Sequence, residues 1–234
     1  MKRPRLHLSL RRATVLLLVA ALAGLLGSAV HGLPREPAGL TAQVAARLPE
    51  SGVEHAVTAV LLNFRGYDTW LELGVLLLAL TGCLGVLQRR DLAGAEPPEN
   101  PSELLTALVT ILVPVMVLVA GYLLWLGKAA AGGAFQAGVV LAAAWVLMWY
   151  GGRRGLASLS PAIWRGLAAA GLLGFLTVAL LTLSIEGVLL GLPTPIAGAV
   201  ILALELLATV SIGVTLAALI IAPQSGAPKA AAKG

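Results

Sequence analysis

Two carboxylates stand inside long apolar runs of this chain, and their placement is the strongest chemical signal it carries. Glu205 lies ten residues into the last run, in "ILALELLATVSIG", where no basic residue is available as a partner. Glu72 follows Trp70 in "NFRGYDTWLELG". On a helix Arg65, Asp68 and Glu72 fall at i, i+3 and i+7 and so share one face. A carboxylate at mid-membrane costs roughly 2.5 kcal/mol or more and is found facing protein or water, with a proton, an ion or a paired cation to handle. Burial favours its neutral form and a neighbouring arginine its charged form, a balance that suits a proton relay. For Glu72 and Glu205 the readings are an ion- or proton-pathway group and a polar contact that pairs helices. For Arg65 and Asp68 the alternative is a plain ion pair at headgroup depth.

The other polar candidates are weaker. Glu186 ends the fifth apolar run and reads as solvated, and His55 beside Glu54 reads as surface, although histidine titrates in a useful range. Lys128 and Gln136 belong to the glycine-rich "GKAAAGGAFQAG". That stretch lacks the G-K-[ST] order of a phosphate loop. It reads as a tight external hairpin whose glycines let helices approach closely, with Gln136 in an interhelical hydrogen bond. The single cysteine, Cys83, sits in apolar sequence and suits packing. No Ser/His/Asp, Cys/His or dinucleotide pattern is present. The three histidines, His7, His31 and His55, lie outside the apolar runs, which leaves transmembrane haem without ligands. The expectation is a protein that is not catalytic alone and uses no cofactor or metal.

What must position these residues is a bilayer-spanning scaffold. The 234 residues are 59% hydrophobic and 12% charged, about half the charge of a soluble domain. The fold class is therefore all-α, a polytopic membrane protein. A span needs about 20 apolar residues. Six runs approach that length: Ala13–Val30, Trp70–Leu87, Leu104–Leu126, Ala134–Tyr150, Gly166–Ile185 and Ile196–Ala222. With the basic N-terminus inside, twelve of the 16 Lys and Arg residues fall on the inner side and four, Arg35, Arg47, Arg65 and Lys128, outside. This asymmetry predicts six spans with both termini cytoplasmic and residues 31–69 outside. The net charge of +5 follows that topology and forms no nucleic-acid patch.

The first run also resembles a signal peptide, and it is read as an uncleaved anchor. Val53–Phe64 is too short to span and reads as an interfacial or partly inserted helix. The proline-rich "QRRDLAGAEPPENPSE" reads as a cytoplasmic linker over 91–103 between a two-span unit, 1–90, and a four-span unit, 104–222. Ser102 and Glu103 open the third span, and the tail 223–234 reads as disordered.

The stretch "VTAVLLNFRGYDTWLELGVLLLALTG", 57–82, resembles the C-terminal segment of the A-type component of Mrp-type (multiple resistance and pH) sodium/proton antiporters. The same segment occurs as a small subunit of energy-converting membrane-bound hydrogenases. Residues 104–222 resemble the B-type, MnhB-like component of those antiporters. Its turn, H-x-x-P-G-G-G-F-Q-x-G, is kept here at Gly132, Gly133, Phe135, Gln136 and Gly138, with Lys128, Ala131 and Ala134 in place of the histidine, the proline and one glycine. Glu205 matches the family's late acidic position, and Gly213 follows it. The resemblance implies an accessory subunit of an Mrp-like complex in a bacterial inner membrane. Its implied partners are complex I-related antiporter subunits, membrane lipids, and sodium ions or protons. The alternatives are the membrane arm of a hydrogenase-like or other redox- or carbon-coupled machine, and a purely structural assembly subunit. A free-standing transporter is disfavoured, because the two unlike units show no inverted repeat.

Overall fold

The computed structural model describes residues 4–33, 39–88, 92 and 95–224. Among them the chain is helical, without a strand: α1 (Pro4–His31), α2 (Leu40–Arg47), α3 (Ala56–Ala59), α4 (Gly66–Val86), α5 (Glu103–Leu126), α6 (Ala134–Tyr150), α7 (Pro161–Glu186) and α8 (Thr194–Gln224). Two compact units divide between Gln43 and Val44. The first holds α1, an apolar helix whose residues from Arg12 onward are exposed. The second holds α3 to α8, so α4 packs with the helices of the MnhB-like region.

Among the described residues five helices are long and apolar enough to cross a bilayer: α1 from Arg12, α4, α5, α7 and α8. The sixth expected crossing, α6, has 17 residues, about 25 Å of helix against a hydrocarbon core of about 30 Å. Of the inner-side basic residues, Lys2, Arg3, Arg89, Arg90, Lys229 and Lys233 lie outside the described residues, as does the tail from 225.

Within the second unit, α4, α6 and α7 pack around α8. Of its apolar window 67% is buried, against no more than 28% in α4, α5 and α7. Lipid tails are as apolar as leucine, so association depends on close fit, and small residues provide it. A β-carbon on Gly138 of α6 would lie 2.7 Å from Ile212, and one on Gly213 would lie 3.1 Å from the Trp145 ring. Those two glycines set the α6–α8 crossing. Gly171 does the same for α7, where a β-carbon would lie 3.1 Å from Ala208 Cα. Hydrogen bonds add register: Ser211 donates to the Ala168 carbonyl, and Trp70 Nε1 donates to the Leu172 carbonyl at 3.1 Å.

Helix starts obey local chemistry. The Ser102 hydroxyl accepts from Leu105 N at 3.2 Å, as its position before the third run predicts, and Ser160 caps α7 from Ile163 N at 3.4 Å. The stretch Val53–Phe64, expected as an interfacial or partly inserted helix, holds the short α3 followed by a π-helical turn, Val60–Phe64. It is anchored from within. Thr58, Ala59 and Leu62 are buried, and Ser51 just upstream is fully so, donating to Leu48 O at 2.7 Å and Val53 O at 3.0 Å. Asn63 Nδ2 donates to Ser51 O at 2.9 Å. Gly52, at φ +75°, presses on α8, where a β-carbon would lie 2.7 Å from Ala197 and 2.8 Å from Gly198 N.

Candidate functional site

Glu205 is 2% exposed, eleven residues past the start of α8, or about 16 Å along its axis. Its neighbour is the hairpin between α5 and α6. A β-carbon at Gly133 would lie 2.7 Å from Glu205 Oε1, and one at Gly127 would lie 3.1 Å from the same oxygen and 2.7 Å from Gly133 Cα. Gly133 also holds φ +104° as the residue before α6, a conformation open to glycine and strained for other residues. The two glycines therefore form the floor on which the carboxylate lies. From there the carboxylate accepts a hydrogen bond from the backbone N–H of Ala134, the first residue of α6. A helix N-terminus offers unsatisfied N–H groups and a partial positive charge, so α6 stands where the sequence lacked a cation. The other oxygen, Oε2, is buried with no hydrogen-bond partner among the described residues. In the protein interior such an acceptor is available to a proton, a water molecule or a cation.

α6 is short because its first turn is set down beside residue 205 of α8, and the hairpin goes with it. Irregular backbone at depth is tolerated only when other protein groups satisfy it. The segment before α4 supplies them. Glu54 N and His55 N both donate to the Lys128 carbonyl at 3.0 Å, and the Thr58 hydroxyl donates to the Gly127 carbonyl. His55 Nδ1 lies 3.2 Å from the Thr58 hydroxyl. Inside the turn, Gly133 N donates to Leu123 O at 2.8 Å. Gly132 is glycine because a β-carbon there would lie 2.5 Å from that same carbonyl.

His55 and Lys128 thus reach the site, Lys128 through its backbone. The Lys128 ammonium lies over the exposed Trp125 ring, 4.0 Å from its centre. Gln136 departs from expectation. It is exposed, its side chain hydrogen-bonds to no described residue, and the close approach of α6 and α8 is made by glycines instead. Glu186 is exposed at the end of α7, as expected, and Cys83 is half-buried in α4. Among the described residues no cluster of three or more His, Cys, Asp or Glu could hold a metal ion.

Arg65, Asp68 and Glu72 form a separate locus. Arg65 is not in the helix; it is the cap before Gly66, and its guanidinium pairs with Asp68 at 2.5 Å, side chains 65% and 37% exposed. Glu72 lies further along α4 and is exposed beside Leu71 and Val75. It makes no ion pair among the described residues. A neighbouring face of α4, through Thr69, Leu73, Leu80 and Leu84, carries the packing.

Thr58, Gly127 and the Ala134 N–H escaped the sequence reading. The signal that held them was the pairing of a glycine hairpin with a late acid. Searching for a basic partner hid it, because the partner is a backbone amide.

Apolar helices around a central α8, with one buried carboxylate seated on a helix N-terminus, define an all-α polytopic membrane protein. The family described as "Domain related to MnhB subunit of Na+/H+ antiporter" matches residues 104–222, just over half of the chain, and the chain belongs to it. Among solved structures, a chain of "the membrane-bound sulfane sulfur reductase (MBS), an archaeal respiratory membrane complex" superposes with a TM-score of 0.65 at 20% identity. That match covers 91% of this chain and 97% of the other. A chain of the Mrp complex from Dietzia sp. DQ12-45-1b superposes with a TM-score of 0.64 at 23% identity over 96% of this chain. Only 27% of that longer chain is covered, so this protein spans about a quarter of it. At these identities the likeness establishes the fold, and it reaches well beyond 104–222 into the preceding elements. No curated protein matches the sequence.

Proposed function

We propose that this chain is a non-catalytic accessory subunit of a multisubunit Mrp-like complex that translocates cations or protons across a bacterial inner membrane. In this reading Glu205 is an ion- or proton-pathway group at the hairpin, and Asp68 with Glu72 borders a pathway or an interface with a neighbouring polypeptide along α4. The observation that carries it is the buried carboxylate of Glu205, held by one oxygen on the α6 N-terminus while the other has no partner. A buried carboxylate oxygen with no partner among the described residues is an exception to the usual satisfaction of buried polar groups, and an ion- or proton-handling role accounts for it. Membership of the MnhB-related family supports the complex as the setting. The fold shared with a chain of a respiratory sulfur-reducing complex, over 97% of that chain, favours a second reading, the membrane arm of a redox-coupled machine.

Mild-detergent purification of the tagged chain, with identification of what accompanies it, tests the assignment. The expected partners are large complex I-related membrane subunits, with redox subunits added under the second reading. A functional monomer contradicts both. The orientation belongs to the same proposal and places both termini in the cytoplasm. In a Cys83→Ala background, Gln43→Cys should react with an impermeant thiol reagent in intact cells and Ser158→Cys should not. The opposite pattern reverses the topology.

A further inference from the structure

The ends of α7 and α8 beside the 187–193 loop frame a cavity of about 240 Å³. Its walls are apolar through Leu181, Ile185, Leu192 and Ile196, several of them openly exposed. Thr182 also lines it, but its hydroxyl already donates to the Ala179 carbonyl at 3.1 Å and requires nothing of an occupant. Glu186 is the one charged group on the wall.

Glu186 is placed against the usual electrostatic preference. It is the last residue of α7, followed by Gly187 at φ +71°. A helix C-terminus carries a partial negative charge and favours Lys, Arg or His there. A carboxylate at that point deepens the negative potential, and among the described residues no basic side chain answers it. α7 has 26 residues, about 39 Å of helix, longer than a hydrocarbon core of about 30 Å. One of its ends therefore stands in the headgroup zone, and Glu186 is the terminal residue of the end that borders the cavity.

An apolar slot with a cation-seeking rim matches one kind of molecule in a membrane. We infer that the α7–α8 cavity seats a phospholipid with a primary ammonium headgroup, an ethanolamine phospholipid. One acyl chain lies along Leu181, Ile185 and Ile196, and the ammonium rests on Glu186 and the last carbonyls of α7. A primary ammonium brings three N–H donors to a carboxylate and carbonyls. A choline headgroup brings none, and a glycerol headgroup leaves the phosphate charge uncompensated beside Glu186. A second copy of the chain fits worse, because a two-fold contact at this face would bring two Glu186 carboxylates together.

The test is native mass spectrometry of the full chain, purified in mild detergent and supplied with ethanolamine, choline or glycerol phospholipids of identical acyl chains. The ethanolamine lipid should be retained about fivefold over the other two, as expected for one favourable charge contact. Glu186→Gln, at an exposed position where folding is not at issue, should erase that preference while leaving the weaker retention common to all three. Ile196→Trp, which fills the slot, should lower retention of all three. Equal retention of ethanolamine and choline lipids by the unaltered chain overturns the proposal, as does a preference that survives Glu186→Gln. Cross-linking of Ile185→Cys to another polypeptide, with no lipid retained, assigns the slot to a protein partner and overturns it as well.

Discussion

Glu205 and Glu72 are both carboxylates in helices able to cross a bilayer, and the fold treats them in opposite ways. Glu205 is enclosed, with a glycine floor, a helix N-terminus as its partner, and a covering segment that satisfies the hairpin above. Glu72 is presented outward on α4 with no ion pair among the described residues. The difference teaches where each acid finds its completion. The surroundings of Glu205 are built within this chain, so its role is separable from assembly. A carboxylate cannot face hydrocarbon cheaply, so under the proposed function Glu72 is expected to meet a neighbouring polypeptide along α4.

The comparison breaks most severely at Gly133. Valine there must adopt φ +104° and place its β-carbon 2.7 Å from Glu205 Oε1. Positive φ and the clash together should cost about 3 kcal/mol or more, seen as a large fall in the thermal midpoint of the purified chain. A normal midpoint means the carboxylate does not lie on that floor. An intermediate effect is expected at Glu205 itself. Glu205→Leu leaves the Ala134 N–H without its acceptor, a loss of about 1–3 kcal/mol. Glu205→Gln keeps an acceptor and should lie within about 1 kcal/mol of the unaltered chain. Equal losses for the two variants remove the case for a cap. The smallest effect belongs to Glu72. Glu72→Gln in the isolated chain should change stability by less than about 0.5 kcal/mol, as for an exposed residue, while in the purified complex it weakens retention of the chain or coupling. A large loss in the isolated chain places Glu72 in an internal contact and erases the contrast.

Most of the fold was legible because bilayer length and apolar composition are coarse signals. The runs that became α5 and α7 were readable to within a few residues, and Ser102 announced its cap. Val53–Phe64 was legible as a short helical piece but not in its packing, because hydropathy records the apolar side chains and not the turn of Ser51 and Gly52 that presses them onto α8. The acids were legible as types out of place. Their surroundings were not, since the partner of Glu205 is a backbone amide at position 134, and no side-chain inventory contains it. Gln136 shows the converse: a polar residue in a family motif suggested an interhelical bond, and glycines made the contact instead.

The central claim is that Glu205 acts on ions or protons from a seat the chain itself provides. Its most direct test is cation/proton coupling in membrane vesicles carrying the complex with Glu205→Gln, normalised to the amount of assembled complex. Glutamine keeps the acceptor facing Ala134 and removes the titratable charge. The account predicts normal assembly with coupling that is lost or shifted along the pH axis. Full coupling with an unchanged pH profile in normally assembled Glu205→Gln complexes contradicts it and leaves Glu205 as a helix cap.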